Sequence, residues 1–330
     1  MASNTKEIQR RIRSIRNTRK ITRAMEMVSV AKMKKEVDRV LSIRPYANAA
    51  WGILGNLSKA FDKYDHGLLK TRKVKNILVV LVTANRGLCG GYNSQVIKRT
   101  IEHVKNPKHL KINRIGNKRI DSDIPDSEIK FDFIAVGKKG FDYLNSRGYN
   151  VIAYYDNFNY LPSMENVYSL AGSVIEDYEK EKYDKVVTAY TNYINTMIQE
   201  PKLRQILPIS KIDIEKQISE MGDLRNEKMS FANNAESEET KEQAIDYIIE
   251  PEPRQVLAHI LPRLVEMQLY HSILESNASK ESARMMAMKN ATEAASEMMD
   301  NLQYLYNQVR QTNITQEIAE ITSGRVALEE

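Results

Sequence analysis

The sequence predicts an α/β fold plus long helices: a parallel-sheet domain set between N- and C-terminal helices that pair as an antiparallel coiled coil. Three observations predict it. Met1–Arg44 contains neither Gly nor Pro and repeats its apolar residues at helical spacing; Arg263–Ser323 does the same at the other end. Between them, Ile77–Val82 (ILVVLV) is a continuous apolar run of the kind buried on both faces of a parallel sheet.

In the first helix the apolar residues fall at Ile8, Ile12 and Ile15, then Ile21, Met25 and Val28, and then jog to Val30, Met33, Val37 and Val40. This stripe departs from a strict heptad, so only loose supercoiling is expected. Forty-four residues would span roughly 66 Å as a helix, a length that needs a partner along it. The other end supplies one. After Pro251, Pro253 and Pro262, the stretch Arg263–Ser323 would run for roughly 90 Å. Its stripe reads Met298, Leu302, Leu305 and Val309, then Ile314, Ile318 and Ile321. Upstream, Ala283, Ala287, Ala291, Ala294 and Ala295 permit close helix approach. Met1–Arg44 carries thirteen Lys or Arg against four acids, a net of +9. The chain from Arg263 onward carries six basic and ten acidic residues, a net of −4. The charges therefore favour pairing.

The middle of the chain alternates strand and helix. Further strands are expected at Phe131–Val136, Val151–Tyr155, Val186–Tyr190 and Arg204–Leu207, and helices at Ser94–Val104, Lys138–Arg147 and Met164–Glu179. That repetition argues for a small doubly wound unit. Asp213–Glu242 is polar and acid-rich, and reads as a mobile linker or insertion. The expected division is therefore residues 1–60 as the first coil helix, 74–210 as the α/β domain, 211–250 as linker or insertion and 251–330 as the second coil helix.

Composition narrows the class. The 330 residues are 42% apolar and 28% charged, with no apolar run long enough to span a membrane, so a soluble globular chain is expected. A lone cysteine, Cys89, rules out an intrachain disulfide and argues against a Cys-based zinc site, which suits a reducing, intracellular compartment.

An α/β domain invites a search for a nucleotide site. Arg86-Gly87-Leu88-Cys89-Gly90-Gly91-Tyr92-Asn93 is a Gly-rich turn between a strand and a helix, the context in which helix amides cradle phosphate. Its glycines fall as GxxGG, matching neither GxGxxG nor GxxxxGK[ST]. The tight-turn reading is therefore preferred, with nucleotide binding as the alternative. Gly137-Lys138-Lys139-Gly140 lacks the first Gly and the Ser or Thr of a phosphate loop, and reads as a solvated turn opening a helix. His66, His103, His109, His259 and His271 show no HExxH or paired spacing, no His adjoins Cys89, and no GxSxG elbow occurs. No catalytic residue, metal ligand or cofactor is expected. Arg10, Arg11, Arg13, Arg16, Arg19, Lys20 and Arg23 could meet nucleic acid or anionic membrane, but no aromatic residue interleaves them. A solvated or protein-facing surface is preferred.

Three separated motifs carry a family resemblance. Ile15-Arg16-Asn17-Thr18-Arg19-Lys20-Ile21-Thr22-Arg23-Ala24-Met25-Glu26-Met27-Val28 with Ala31-Lys32-Met33 resembles the amino-terminal helix of gamma subunits of F-type ATP synthases. Arg86–Asn93 resembles that family's loop after its first strand. At the other end, Leu261-Pro262-Arg263, Leu274-Glu275-Ser276, Ala283-Arg284-Met285 through Thr292, and Tyr306-Asn307 through Ile318 match in family order. The resemblance covers nearly the whole chain and is weakest in Lys105–Lys130 and Asp213–Glu242.

It implies an antiparallel coil of the two ends with a Rossmann-like domain at its base. It also implies a central rotor shaft that couples ion flow through a membrane ring of c subunits to ATP synthesis or hydrolysis. The implied partners are a ring of three alpha and three beta subunits, the epsilon subunit and the c-ring, with no nucleic acid and membrane association only through the complex. By resemblance Met25 matches a position passing the beta subunits, Arg284 and Gln311 match polar ring contacts, and Arg310, Thr315 and Glu320 match positions near the tip. The chain would not be an enzyme by itself but a non-catalytic subunit of an ion-transporting ATPase. The matched motif starts near Lys6, leaving no room for a cleaved targeting peptide, so the cytoplasmic face of a bacterial membrane is expected. Two departures stand out: Asn85 where Asp is common, and a charged end, Gly324–Glu330. The alternatives are a nucleotide-binding α/β enzyme with helical extensions and a basic helical nucleic-acid binder.

Overall fold

The computed structural model describes residues 2–61, 66–115, 118–120, 124–209 and 252–329. The segment 211–250, expected as a polar linker, lies outside the described residues. The chain divides into two units, residues 31–283 and residues 1–30 with 284–330.

In the larger unit the sheet is built from β1 (Asn76–Val82), β4 (Lys130–Val136), β5 (Val151–Tyr155), β6 (Lys185–Tyr193) and β7 (Gln199–Leu207), in the order β5-β4-β1-β6-β7. β1 pairs in parallel with both β4 and β6, and β4 with β5. β7 runs antiparallel to β6, so the sheet is mixed where sequence predicted a parallel one. The reason is the short β6–β7 connection, which allows a hairpin but not a crossover. A small hairpin, β2 (Asn113–Ile115) with β3 (Lys118–Ile120), falls where no strand was expected.

The apolar run of β1 is buried on both faces, as expected. Leu78, Val80 and Val82 join a cluster with Val167, Leu170 and Val174 of α4 (Met164–Glu179). Ile77, Val79 and Leu81 join another with Val96 and Ile97 of α2 (Tyr92–Lys105) and Leu144 of α3 (Lys138–Ser146). Residues alternate faces because the strand period is two. α4 starts at a capping box, with Asn166 Oδ1 accepting from the Ser163 amide at 2.9 Å.

The first long helix, α1, spans Ala2–Phe61 and continues through Pro45. The last, α5, spans Pro253–Glu329 and carries Pro262 in its interior, ten residues upstream of the predicted start. A helical proline removes one hydrogen bond and crowds the preceding turn. Around Pro262 the cost is offset by burial of Leu257, Leu261, Leu264 and Val265 in the cluster shared with α4 and Val40 of α1.

In the smaller unit the ends of α1 and α5 run antiparallel. Thr22 and Thr292 hydroxyl oxygens lie 2.8 Å apart, Gln9 Nε2 donates to Tyr306 Oη at 2.9 Å, and Asn313 Nδ2 to Thr5 Oγ1 at 3.4 Å. Here the structure corrects the apolar stripes. On α1 the positions Ile8, Ile12, Ile15, Arg19, Thr22, Glu26 and Ser29 are covered in a 4,3 repeat, with Met25 half-buried at its flank. On α5 Met288, Thr292, Ala295, Met299, Leu302, Tyr306, Val309, Asn313 and Gln316 are covered, again 4,3, with Ala291 and Ser296 half-buried at the flanks. The seam is thus a heptad on both helices, interrupted by polar residues and not by a jog. Ile21, at 60% exposure, and Val28 and Val30 lie outside it, as do Met298, Leu305, Ile314, Ile318 and Ile321. The cross-helix bonds named above join uncharged groups, while Glu7–Arg11 (2.8 Å) and Arg23–Glu26 (3.1 Å) pair along α1.

Candidate partner-contact surfaces and the sheet crevice

The strand order reverses between β1 and β6, the switch point at which a doubly wound sheet holds a ligand, while the carboxyl ends of β1 and β4 carry the Gly137–Gly140 turn. Its groups are engaged with one another. The first amides of α3 are each taken by the end of β1: Lys138 N by Asn85 Oδ1 (2.9 Å), Lys139 N by Ala84 O (3.1 Å) and Gly140 N by Thr83 Oγ1 (2.9 Å). An anion would have to displace all three. Gly137 adopts φ +97°, and a Cβ there would sit 2.2 Å from Thr83 O; one on Gly140 would sit 2.9 Å from Thr83 Oγ1. Both glycines are buried, so this turn is solvated only at Lys138 and Lys139, and the pair exists for strand-to-helix contact. An open cleft of about 210 Å³ lies at these strand ends, between Thr83, Asn85, Gly137, Asp156, Asn159 and Asn277.

The Gly-rich loop is a tight turn, with Leu88 at φ 63° and Gly90 at φ 54°. Asn93 Oδ1 accepts from Ala84 N at 2.9 Å and closes it. Cys89 is buried with Ala84 and Tyr92 against Ala283, and Asn93 Nδ2 lies 3.2 Å from its sulfur. Asn85 uses both halves of its amide, donating from Nδ2 to Asp156 O at 2.8 Å while it caps α3. An aspartate at this position would lose the donor. Among the described residues no group of three or more His, Cys, Asp or Glu is placed to hold a metal ion. His271 is buried, with Nδ1 3.6 Å from Glu275 Oε2 one helical turn on.

The expected contact residues all lie in the smaller unit. Met25 is half-buried at the flank of the seam, three residues past Thr22 and so abreast of Lys289 by the Thr22–Thr292 register. Arg284, also half-buried, lies roughly 8 Å further along α5. Arg310, Gln311, Thr315 and Glu320 are exposed within about 15 Å of helix. The Thr315 hydroxyl donates to Gln311 O at 2.9 Å, and Glu320 Oε1 accepts from Gln316 at 2.9 Å. Met25 and the four distal residues thus belong to separate stretches of the coil.

What the stripes missed is the outward apolar surface. Ile21, Met27 and Val28 on α1, and Ile314, Ile318 (59% exposed) and Ile321 (73%) on α5, present aliphatic side chains to the outside. Arg10, Arg13, Arg16 and Lys20 are exposed beside them. The signal was present in the 4,3 repeat, provided Thr22, Ser29 and Gln316 are admitted as seam positions.

The paired ends thus present apolar and basic outer faces, and the first amides of α3 are taken by the end of β1. The ATP synthase family model matches residues 4–328. The ATP synthase gamma chains of Histophilus somni (strain 129Pt) and Legionella pneumophila (strain Corby) are each 33% identical over 99% of this chain and 100% of theirs. The chain belongs to the ATP synthase gamma chain family. Its fold is similar to a chain in the Euglena gracilis mitochondrial ATP synthase OSCP/F1/c-ring structure (TM-score 0.60, 17% identity, 99% of this chain and 95% of that one). A chain in the central stalk/c-ring structure of Tetrahymena thermophila mitochondrial ATP synthase gives TM-score 0.52 at 23% identity, over 82% and 99%. No helix among the described residues is long and apolar enough to cross a membrane.

Proposed function

We propose that this chain is the central rotor shaft of a membrane ATP synthase, coupling ion flow through the c-ring to ATP synthesis or hydrolysis in a ring of three alpha and three beta subunits. The observation that carries this is the full-length 33% identity to gamma chains. The physical basis is a rigid element that meets each conformation of its surroundings differently and so biases their populations as it turns. In this reading the chain is non-catalytic by itself, and the epsilon subunit holds its base. The complex sits on the cytoplasmic face of a bacterial membrane, with this chain peripheral to it. Residues 1–60 and 251–330 form the shaft, 74–210 the basal domain and 211–250 a polar insertion. The likeness to gamma chains supports Met25, Arg284, Arg310, Gln311, Thr315 and Glu320 as partner contacts, and the half-buried or exposed state of each agrees with that role.

Affinity recovery of the tagged chain from its native cell tests the assignment. The expected result is co-purification with two larger ATP-binding subunits, three copies of each; recovery with nucleic acid, or as a homo-oligomer that binds nucleotide, overturns it. Met25→Lys, which puts a charge where a flexible thioether slides, should lower ATP-driven ion pumping more than it lowers assembly. Unchanged pumping would remove Met25 from the contact set.

A further inference from the structure

In the larger unit, the irregular segment between β5 and α4, residues Asp156–Ser163, is bonded to both long helices at once. Glu36 of α1 accepts from Leu161 N through Oε1 at 2.9 Å. From α5, Tyr270 Oη donates to Pro162 O (2.9 Å), Asn277 Nδ2 to Phe158 O (2.9 Å) and Lys280 Nζ to Asn159 O (2.7 Å). Arg39 Nε reaches the Tyr270 hydroxyl at 3.3 Å, and Lys280 also donates to Asn277 Oδ1 at 2.8 Å, so the helix groups brace one another. The segment's first residue is tied to the end of β1 by Asn85, and its last caps α4. Leu161 is held at φ 44°, a conformation that persists only where its surroundings over-determine it.

These contacts are costly ones. Glu36 is fully buried, its Oε2 has no hydrogen-bond partner among the described residues, and Lys280 is buried as well. Apolar side chains of similar volume would hold the helices against the sheet at least as firmly. What apolar contact does not supply is direction: the hydrophobic effect is indifferent to sliding, whereas a hydrogen bond weakens steeply with misalignment. Four bonds to backbone groups within five residues of the segment, from two helices, fix how each helix is turned about its own axis.

We propose that Asp156–Ser163 is a strap by which the α/β domain grips α1 and α5 and passes torque to them, with Glu36, Tyr270, Asn277 and Lys280 as positioning residues. This rests on the rotor reading above. The strap is continuous with β5 and α4, so a twist of the sheet reaches the helices through hydrogen bonds as well as through the apolar core.

The test uses the assembled synthase carrying Tyr270→Phe with Lys280→Met. Both variants keep volume and delete one strap bond each. Expected are normal subunit composition, exchange of the 157–161 amides accelerated by about tenfold with β1 amides unchanged, and ions pumped per ATP hydrolysed lower by about threefold. A merely structural role would lower hydrolysis and pumping together and leave their ratio intact. Accelerated exchange with an unchanged ratio overturns the proposal, as does unchanged exchange. Tyr270→Phe alone, which removes only a hydroxyl, gives the same readouts if the double variant does not assemble. Failure of the unmodified chain to enter any synthase would instead overturn the rotor reading.

Discussion

Burial raises the pKa of the Glu36 carboxyl from its ordinary 4.5. The Leu161 amide, Lys280 and Arg39 oppose that rise, and Glu281 adds to it. A carboxyl whose folded pKa lies above its unfolded one contributes stability below about pH 4.5 and loses it as pH climbs through the folded value. Glu36→Gln keeps an acceptor for Leu161 N and cannot ionise. Its melting temperature relative to the parent should therefore be higher at pH 8 than at pH 4; a constant difference across that range would remove Glu36 as a titrating group. Gly137 gives a sharper case. Alanine there meets Thr83 O at 2.2 Å in a backbone conformation suited to glycine, so Gly137→Ala should cost on the order of 3 kcal/mol in urea unfolding. Neither position stands out in the sequence: Glu36 sits in a charged helix, and Gly137 looks like a surface turn. Their roles depend on what the fold brings opposite them.

At the scale of the helix, the seam assignment separates residues that look alike on paper. Ile12 is buried at a seam position and Ile21 is mostly exposed. Ile12→Lys should destabilise the paired ends by about 3 kcal/mol, because it desolvates an unpaired charge, while Ile21→Lys should stay within about 0.5 kcal/mol. Equal losses in thermal melts would restore the stripe through Ile21. Thr22 and Thr292 supply a second test. Either single change to Val leaves a covered hydroxyl facing a methyl, whereas changing both removes both polar groups, so a double-mutant cycle should show coupling of about 0.5–1 kcal/mol. Polar seam residues of this kind fix register at some expense of stability. The sequence stripe erred because it followed the largest apolar side chains. The helix buried the positions its 3.5-residue repeat dictated, and left Met298, Leu305 and Ile318 outside.

Across the molecule the two units differ in how much they bury. The unit of residues 31–283 holds two large apolar clusters on the two faces of the sheet, and the paired ends are held by a narrow seam with polar members. Native-state hydrogen exchange should accordingly be slowest at β1, β4 and β6 and faster throughout residues 2–30 and 284–325. Uniform protection would mean that the ends draw stability from contacts not visible in the isolated chain. The exposed isoleucines of α5 lie in those faster-exchanging ends, where a partner surface would have most to add.

By itself the sequence determined the two long helices, the strand-helix alternation between them, and the family. Each of these follows from local signals: absence of Gly and Pro over long stretches, periodicity, and motifs in order. The bounds of β5 and α4 agree to the residue with the expected Val151–Tyr155 and Met164–Glu179. The tertiary structure alone decided which residues occupy the seam, that β7 runs antiparallel, that the α3 amides are occupied by the end of β1, and that Asp156–Ser163 is strapped to Glu36 and Lys280. Each of these is a contact between positions far apart in the chain. Such contacts depend on where the packed elements come to rest, a property that periodicity along one segment does not encode.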